Sequence, residues 1–164
     1  VVVPHPATRD KAGKLTSESL RLNESLRREI ESFINDRRLL TTVQVQIVSP
    51  RYRWVSVRVE LSVISDIEQQ LIRDLVLQRL YEFINPITGG WDRSGWTLGT
   101  TLTPSDIELC INQLLRDNQF VAKCERVELL VTEQDGQTAT LTVPEVKLEA
   151  YGVIVSNEHV VLFR

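Results

Sequence analysis

Apolar residues recur along the chain with two distinct spacings, and these spacings predict its helices and strands. Residues 22–34 carry an apolar residue at every third or fourth position with arginine and glutamate between them, which predicts an amphipathic helix. Residues 67–84 and 107–115 repeat that spacing and predict two more helices. The candidate helix caps are Thr16 or Ser17 for the first helix, Ser65 with Glu68 for the second, and Thr103 with Asp106 for the third, where Pro104 takes the first helical position.

Alternation of apolar and polar residues predicts the strands. The clearest case is residues 54–63, where Val55, Val57 and the following odd-numbered positions are apolar and their neighbours are mostly polar. Asp135 followed by Gly136 is typical of a tight hairpin turn between two strands. The shorter candidate strands lie at residues 1–3, 43–47, 127–132, 138–143, 153–155 and 160–163.

The order of these elements indicates an α+β fold. Helices and strands are mixed without the regular alternation that builds a doubly wound sheet. We therefore expect an open, mostly antiparallel sheet with amphipathic helices packed on one face, preceded by an N-terminal helix–strand segment. The expected division is a strand–helix–strand segment over residues 1–50 and an α+β domain over residues 51–164. The sequence begins with Val1 and contains no methionine, so we expect a C-terminal portion of a longer polypeptide.

The composition is that of an ordinary soluble globular protein. Hydrophobic residues make up 42% of the 164 residues and charged residues 25%. The net charge of −3 argues against a dominant surface for nucleic acid. No apolar run approaches the ~20 residues that span a bilayer, so we expect no membrane partner. Two cysteines are too few for a disulfide framework, and we expect Cys110 to be a buried free thiol.

Few residues suit catalysis or metal binding. The chain has two histidines, His5 and His159, and a pairing of Cys124 with His159 has no supporting local motif. We therefore expect a buried thiol and a surface imidazole. The chain has no Cys-x-x-Cys, no His-x-x-x-His and no calcium-binding loop. These observations predict neither an enzyme nor a bound cofactor or metal.

Residues 85–99 form the most unusual stretch, with four of the seven glycines and two of the three tryptophans. Neither glycine motif of nucleotide-binding proteins is present, and Pro104 opens the next helix too far from Gly99 to build a phosphate cradle. We interpret the stretch as an ordered loop that its tryptophans pin against the domain or a partner. The alternative is a regulatory or enzymatic α+β domain that binds a small ligand through this loop. The residues assigned to this structural and interaction loop are Asn85, Pro86, Gly89, Gly90, Trp91, Gly95, Trp96 and Gly99.

A second candidate contact region combines arginines with aromatic residues. Such residues serve both as anchors for protein partners and as stacking sites for single-stranded nucleic acid. The acidic chain favours the protein partner. The residues of this region are Arg51, Tyr52, Arg53, Trp54 and Arg58.

The loop also resembles the signature of a known family. Residues 85–90 read Asn-Pro-Ile-Thr-Gly-Gly and are followed by Gly95, Trp96 and Gly99, which is similar to the "NPLTGG…GWPFG" motif of baseplate J-like proteins. Residues 37–42 resemble the "RRPLTT" of that family, and residues 156–159 resemble its "SGEH" ending. The chain departs from the family pattern at Thr97 and Leu98, where Pro-Phe is usual, at Thr100 and at Asn157.

The resemblance implies a structural role in the baseplate wedge of a contractile phage tail or contractile injection system. Such a subunit assembles with copies of itself and with other wedge subunits around a central hub, with hub and sheath proteins as further partners. It couples the rearrangement of the baseplate to contraction of the sheath. The resemblance implies no catalysis, cofactor, nucleic acid or membrane, and it implies assembly in the cytoplasm into a virion tail or injection-system baseplate.

Overall fold

The computed structural model describes residues 2–4, 15–16, 19–37, 46–64, 68–132 and 141–164. Within these ranges the chain forms an α+β fold, which confirms the predicted class. The predicted turn at Asp135 and Gly136 and the predicted cap at Ser65 lie outside the described residues. The elements, in chain order, are α1 (Glu24–Asn35), β1 (Arg51–Val63), α2 (Gln69–Phe83), α3 (Pro104–Asp117), β2 (Ala122–Thr132), β3 (Leu141–Val143), β4 (Gly152–Ser156) and β5 (Val160–Phe163).

The five described strands form one mixed sheet around β1. The strand order is β3-β2-β1-β4, and β5 pairs with β1 as well. The β1–β2 and β2–β3 pairings are antiparallel, whereas β4 and β5 both run parallel to β1. β4 pairs with residues 51–55 of β1 and β5 with residues 58–61. The tail of the chain therefore adds a parallel edge to an otherwise antiparallel sheet.

The main core lies between one face of this sheet and the two long helices. The alternation predicted for β1 is observed, since Val55, Val57, Val59 and Leu61 are buried on that face. α2 and α3 pack on the same face, as predicted. Their buried residues are Ile72, Val76, Leu80 and Phe83 in α2, and Ile107, Cys110, Ile111 and Leu115 in α3.

The apolar face predicted for α2 is too broad. Leu71 belongs to the apolar repeat that predicts this helix over residues 67–84, but it is 54% exposed. The buried row of α2 runs through Ile72, Val76 and Leu80, at steps of four residues. Leu71 lies about 100° around the helix from Ile72, and that rotation turns it towards solvent.

Helix capping follows the sequence in α3 but not in α1. Thr103 Oγ1 accepts a hydrogen bond from the Asp106 amide, and Asp106 Oδ2 accepts one from the Thr103 amide at 2.9 Å. The predicted cap of α1 is wrong, because Thr16 bonds instead with Ser19 in a local turn. Asn23 caps α1 by accepting a hydrogen bond from the Leu26 amide at 2.7 Å. No residue of α1 is buried.

The N-terminal segment covers part of the second face of the sheet. Leu15 and Leu20 are buried against Tyr52, Trp54 and Val155 in a separate apolar cluster. The Tyr52 hydroxyl donates a hydrogen bond to the Leu20 carbonyl at 2.9 Å. This cluster therefore fixes the chain that precedes α1 to the outer side of β1.

The short strands predicted before β1 do not form among their described members. Val2, Val3, Gln46 and Ile47 lie outside any strand, and the described part of Val43–Ile47 is limited to the last two residues. One main-chain hydrogen bond links the Val2 amide to the Val48 carbonyl at 3.3 Å. Among the residues described there, this bond does not extend into a ladder, so their alternation is not matched by strand pairing. Among the described residues no helix is both long and apolar enough to cross a membrane.

Candidate functional site

The glycine–tryptophan loop, residues 85–99, starts from a buried asparagine two residues after the end of α2. Asn85 is buried, and its Oδ1 accepts hydrogen bonds from the amides of Ile87 and Thr88 at 2.9 and 3.0 Å. The Asn85 side chain therefore supplies an acceptor for two main-chain amides that lie beyond the end of the helix. Pro86 follows directly and has no amide to donate, so the helix does not continue past this point.

The carbonyl of Phe83, at the end of α2, is the anchor of the loop. It accepts one hydrogen bond from the Gly90 amide at 2.8 Å and another from the Trp96 indole at 2.7 Å. The Gly89 amide donates to the Asn85 carbonyl, and the Gly95 amide donates to the Gly89 carbonyl. The loop therefore folds back and closes on the helix end that precedes it.

Two of the glycines are required by close contacts with main-chain atoms. A Cβ at Gly89 would lie 2.3 Å from the Phe83 carbonyl oxygen and 2.4 Å from that of Asn85. A Cβ at Gly95 would lie 2.6 Å from the Pro86 carbonyl oxygen, and Gly95 also has a φ of +94°. Neither position has room for a side chain, because the obstructing atoms belong to the backbone itself.

The two tryptophans of the loop have different environments. Both rings meet the Phe83 ring edge to face, at centroid distances of 5.0 Å for Trp91 and 5.4 Å for Trp96. Trp96 packs against the main core, whereas Trp91 is 51% exposed. Trp96 therefore holds the loop to the domain, and Trp91 presents half of its surface to solvent from a fixed position.

The far end of the loop meets the start of β1 through a second turn. The Gly99 amide donates a hydrogen bond at 3.4 Å to the carbonyl of Gly152, which ends the 149–152 turn and is the first residue of β4. The Arg51 amide donates to the Tyr151 carbonyl at 3.0 Å, and the Arg51 side chain forms an ion pair with Glu149. The structure thus brings Gly99 and Arg51, from the two predicted contact regions, to the same turn.

The aromatic members of the arginine–aromatic region are partly covered. Tyr52 and Trp54 are half-buried under the cluster formed with Leu15 and Leu20. This burial raises the pKa of Tyr52 to about 12, because desolvation disfavours the phenolate. These two rings therefore offer less free surface than the sequence suggested.

The arginines of the same region are engaged in ion pairs or other contacts. Arg58 forms an ion pair with Glu128 at 3.2 Å across the β1–β2 pairing, and Arg126 reaches the same carboxylate at 2.7 Å. Arg53 is half-buried and has interactions of its own. Arg51 bonds to the 149–152 turn that the Gly99 amide also contacts.

The prediction of a surface imidazole at His159 is wrong. His159 is 8% exposed; its Nδ1 accepts a hydrogen bond from the Val57 amide at 3.0 Å, and its Nε2 lies 2.6 Å from Ser156 Oγ. The Tyr81 ring of α2 lies against it at a centroid distance of 4.7 Å.

Val55 pairs with Ser156 and Arg58 pairs with Val160, so the tail holds one extra residue between these pairings, and at this bulge the His159 imidazole lies inside the protein. Ser156 and His159 flank the break between two apolar runs of the sequence.

The Ser156–His159 pair is not arranged for nucleophilic catalysis. Because Nδ1 accepts a hydrogen bond from the Val57 amide, the proton of the neutral ring is on Nε2. Nε2 therefore donates to Ser156 Oγ and has no lone pair with which to remove the hydroxyl proton. This geometry makes the pair a structural contact.

The cysteines are also unsuited to reaction. Cys110 and Cys124 are buried and free, as expected for Cys110. Burial raises the pKa of both thiols, that of Cys124 to about 11, so both are protonated at neutral pH. Cys124 lies on β2 and His159 adjoins β5, on opposite edges of β1. In the described part of the chain, no three His, Cys, Asp or Glu side chains cluster as metal ligands would.

No protein-family model matches this chain, and no curated protein shows significant sequence similarity to it. The function is therefore argued from the loop and its contacts.

Proposed function

We propose that this chain is an assembly module of the baseplate wedge in a contractile tail or contractile injection system. In this proposal the glycine–tryptophan loop is a preformed contact element for neighbouring subunits. Two lines of support meet in the same residues. The motif of residues 85–90, 95 and 96 resembles that of baseplate J-like proteins, and those residues hold the loop in a single shape on the end of α2.

The main-chain amides of the loop argue for a protein partner and against a phosphate ligand. A phosphate cradle needs several free amides that point at one place. Here the amides of Gly89, Gly90, Gly95 and Gly99 donate to carbonyls of the protein, namely those of Asn85, Phe83, Gly89 and Gly152. The glycines therefore serve the internal structure of the loop and leave no such set of donors for a ligand.

The main structural support for the proposal is the position of Trp91. Tryptophan is enriched among residues that dominate the energy of protein interfaces. The Trp91 ring is held against Phe83 on one edge and is half exposed. A ring that is already oriented loses little conformational freedom when a partner covers it, so more of the contact energy remains for binding.

The proposed partners are copies of this chain and other wedge subunits, with hub and sheath proteins as further partners. Assembly in the cytoplasm would place the chain in a virion tail or injection-system baseplate. There it would couple the baseplate rearrangement to contraction of the sheath. This role uses no cofactor and no catalytic residue.

Substitution of Trp91 tests this proposal directly. We expect Trp91→Ala to leave the chain folded and to weaken its incorporation into baseplates, because truncation of a central interface tryptophan costs roughly 2 kcal/mol or more, about 30-fold in affinity. The measurement is baseplate assembly in the producing cells, followed by electron microscopy and quantification of the chain in purified particles.

Leu109→Ala is the matched control, since Leu109 is an exposed apolar residue on α3, away from the loop. Circular dichroism should show both variants folded. Equal incorporation of Trp91→Ala, Leu109→Ala and the parent would contradict the proposed contact role of the loop.

A further inference from the structure

The last two strands pair with the same side of β1, but they are covered to very different extents. Every residue of β4 is buried, whereas Val160 and Leu162 of β5 are 45% and 42% exposed. β5 therefore faces the main core with two side chains, those of Val161 and Phe163. A small number of buried apolar contacts is typical of the segments that open first in a folded protein.

The bulge between β4 and β5 separates the hydrogen bonds of the two strands. It interrupts the ladder that the tail of the chain forms with β1. His159 lies in this bulge, and its contacts with the Val57 amide and with Ser156 fix the chain at the point where β5 begins. Detachment of β5 therefore does not require β4 to leave β1.

The inner side of β5 rests on an arginine of α2. The Arg73 guanidinium lies over the Phe163 ring, with 5.2 Å between its Cζ atom and the ring centroid. In the described part of the chain, the Arg73 Nε atom is buried and has no hydrogen-bond partner. A buried donor of this kind has lost its bonds to water and has gained none in the protein, so its desolvation opposes the folded arrangement.

Two effects at Arg73 act on the docking of β5 in opposite directions. The contact with the Phe163 ring favours docking, but a cation–π contact is weak where the arginine is only partly buried. The desolvation of a charged donor without an acceptor costs more than such a contact returns. When β5 moves away, the Phe163 ring moves with it and water can reach Nε. The buried nitrogen therefore lowers the free energy that detachment requires.

From these observations we propose that β5 is a detachable strand: it leaves β1 while the rest of the sheet stays paired, and the buried Nε atom of Arg73 decides how readily it leaves. Detachment uncovers the main-chain groups of residues 58–61 of β1, and an uncovered strand edge can pair with another chain. None of these contacts involves the glycine–tryptophan loop, so detachment does not depend on the assembly role of that loop.

Hydrogen exchange of the parent chain, followed by nuclear magnetic resonance, tests whether β5 opens as a unit. The Arg164 amide donates to the Leu61 carbonyl at 2.9 Å, and the alternation of the strand directs the Leu162 amide towards β1 as well. We expect both amides to open with the same constant and to exchange at least about tenfold faster than the amides that join β1 and β2, because a local opening frees them.

Two results of this measurement would overturn the proposal. Equal protection of β5 and of the β1–β2 pairing would show that β5 is released only when the whole chain unfolds. Much faster opening of Arg164 than of Leu162 would show progressive fraying instead of detachment of the strand.

Arg73→Met tests the role of the buried nitrogen. The methionine side chain ends in a methyl group at the position of Nε, so it keeps an apolar stem against Phe163 and removes the unpaired donor. We expect the protection of the Leu162 amide to rise about tenfold, as the loss of one buried donor without a partner predicts. Arg116→Met is the matched control, because Arg116 is exposed on α3, and it should leave this protection unchanged. Unchanged or lower protection in Arg73→Met would overturn the proposal, since the stacked guanidinium would then hold β5 in place.

Discussion

Individual residues of the glycine–tryptophan loop are constrained more by main-chain atoms than by side chains. Sequence reasoning identified the glycines correctly as positions of tight turning, because only glycine accepts positive φ without strain. It did not identify the atoms that exclude a side chain, which are the carbonyl oxygens of Phe83, Asn85 and Pro86. Such contacts depend on how the loop folds back on α2, and a linear pattern does not record that path.

Gly95 provides a test of this constraint. We expect Gly95→Ala to lower the free energy of unfolding by roughly 2–3 kcal/mol, because the new Cβ would meet the Pro86 carbonyl oxygen at 2.6 Å and the residue needs a positive φ. Gly90→Ala is the matched control: it has a positive φ of 78°, but its nearest neighbour would be 3.4 Å away. Gly90→Ala should cost only about 1 kcal/mol, for the backbone conformation alone.

Urea unfolding of both glycine variants gives the comparison. Equal losses in Gly95→Ala and Gly90→Ala would show that backbone conformation alone decides the cost, and that the packing of the loop against Pro86 contributes nothing.

At the scale of helices and strands, the strongest local signals gave correct predictions, whereas the cap of α1 and the partners of the last two strands were not predicted. The alternation in β1 and the capping box of α3 are encoded within a few residues, and both are observed. The N-cap of α1 was placed too early in the chain. Thr16 forms hydrogen bonds with Ser19 in a local turn, and Asn23 caps the helix. The parallel pairing of β4 and β5 with β1 joins residues about 100 positions apart, and periodicity carries no information about such partners.

The segment that precedes α1 makes a testable prediction through Tyr52. Desolvation by burial raises the pKa of Tyr52 to about 12, and Leu15 and Leu20 form the cluster that covers it. We expect the double substitution Leu15→Ala and Leu20→Ala to move this pKa down towards 10, because water then reaches the phenol. The measurement is the ultraviolet absorbance of phenolate during alkaline titration, with the signal of Tyr52→Phe subtracted from that of each protein.

Leu109→Ala serves again as the control, since Leu109 is exposed on α3 and lies outside that cluster. A raised pKa also means that the Tyr52 contribution to stability is complete below about pH 10 and is lost as the pH rises through 12. An unchanged titration midpoint in the double variant would rule out this covering segment as the cause.

At the scale of the whole molecule, the α+β class followed from the order of elements, whereas the contacts of the candidate site needed the structure. The loop was singled out because glycine and tryptophan are concentrated there and because its motif resembles that of a known family. The hydrogen-bond partners of its residues, including the bond from the Gly99 amide to Gly152 at the start of β4, required the fold. The burial of His159 was not predicted, because the bulge beside it arises from the pairing of β4 and β5 with β1.

A ligand screen tests the alternative role, in which the loop would bind a small molecule. We expect nucleotides and phosphosugars to leave the melting temperature of the folded chain unchanged, because the glycine amides already have acceptors in the protein. A ligand present at ~100 times its dissociation constant would add ~2.7 kcal/mol to stability, which a thermal-shift assay detects readily. A clear rise in melting temperature that Trp91→Ala abolishes would favour the small-ligand role over the assembly role.

The double use of the Phe83 carbonyl has a mechanical consequence. One oxygen atom at the end of α2 accepts hydrogen bonds from both the Gly90 amide and the Trp96 indole, so the loop is tied to the last residue of the helix. Under the assembly role proposed above, we expect the loop and the end of α2 to move together when a partner loads the exposed Trp91 indole, because that ring also rests against Phe83.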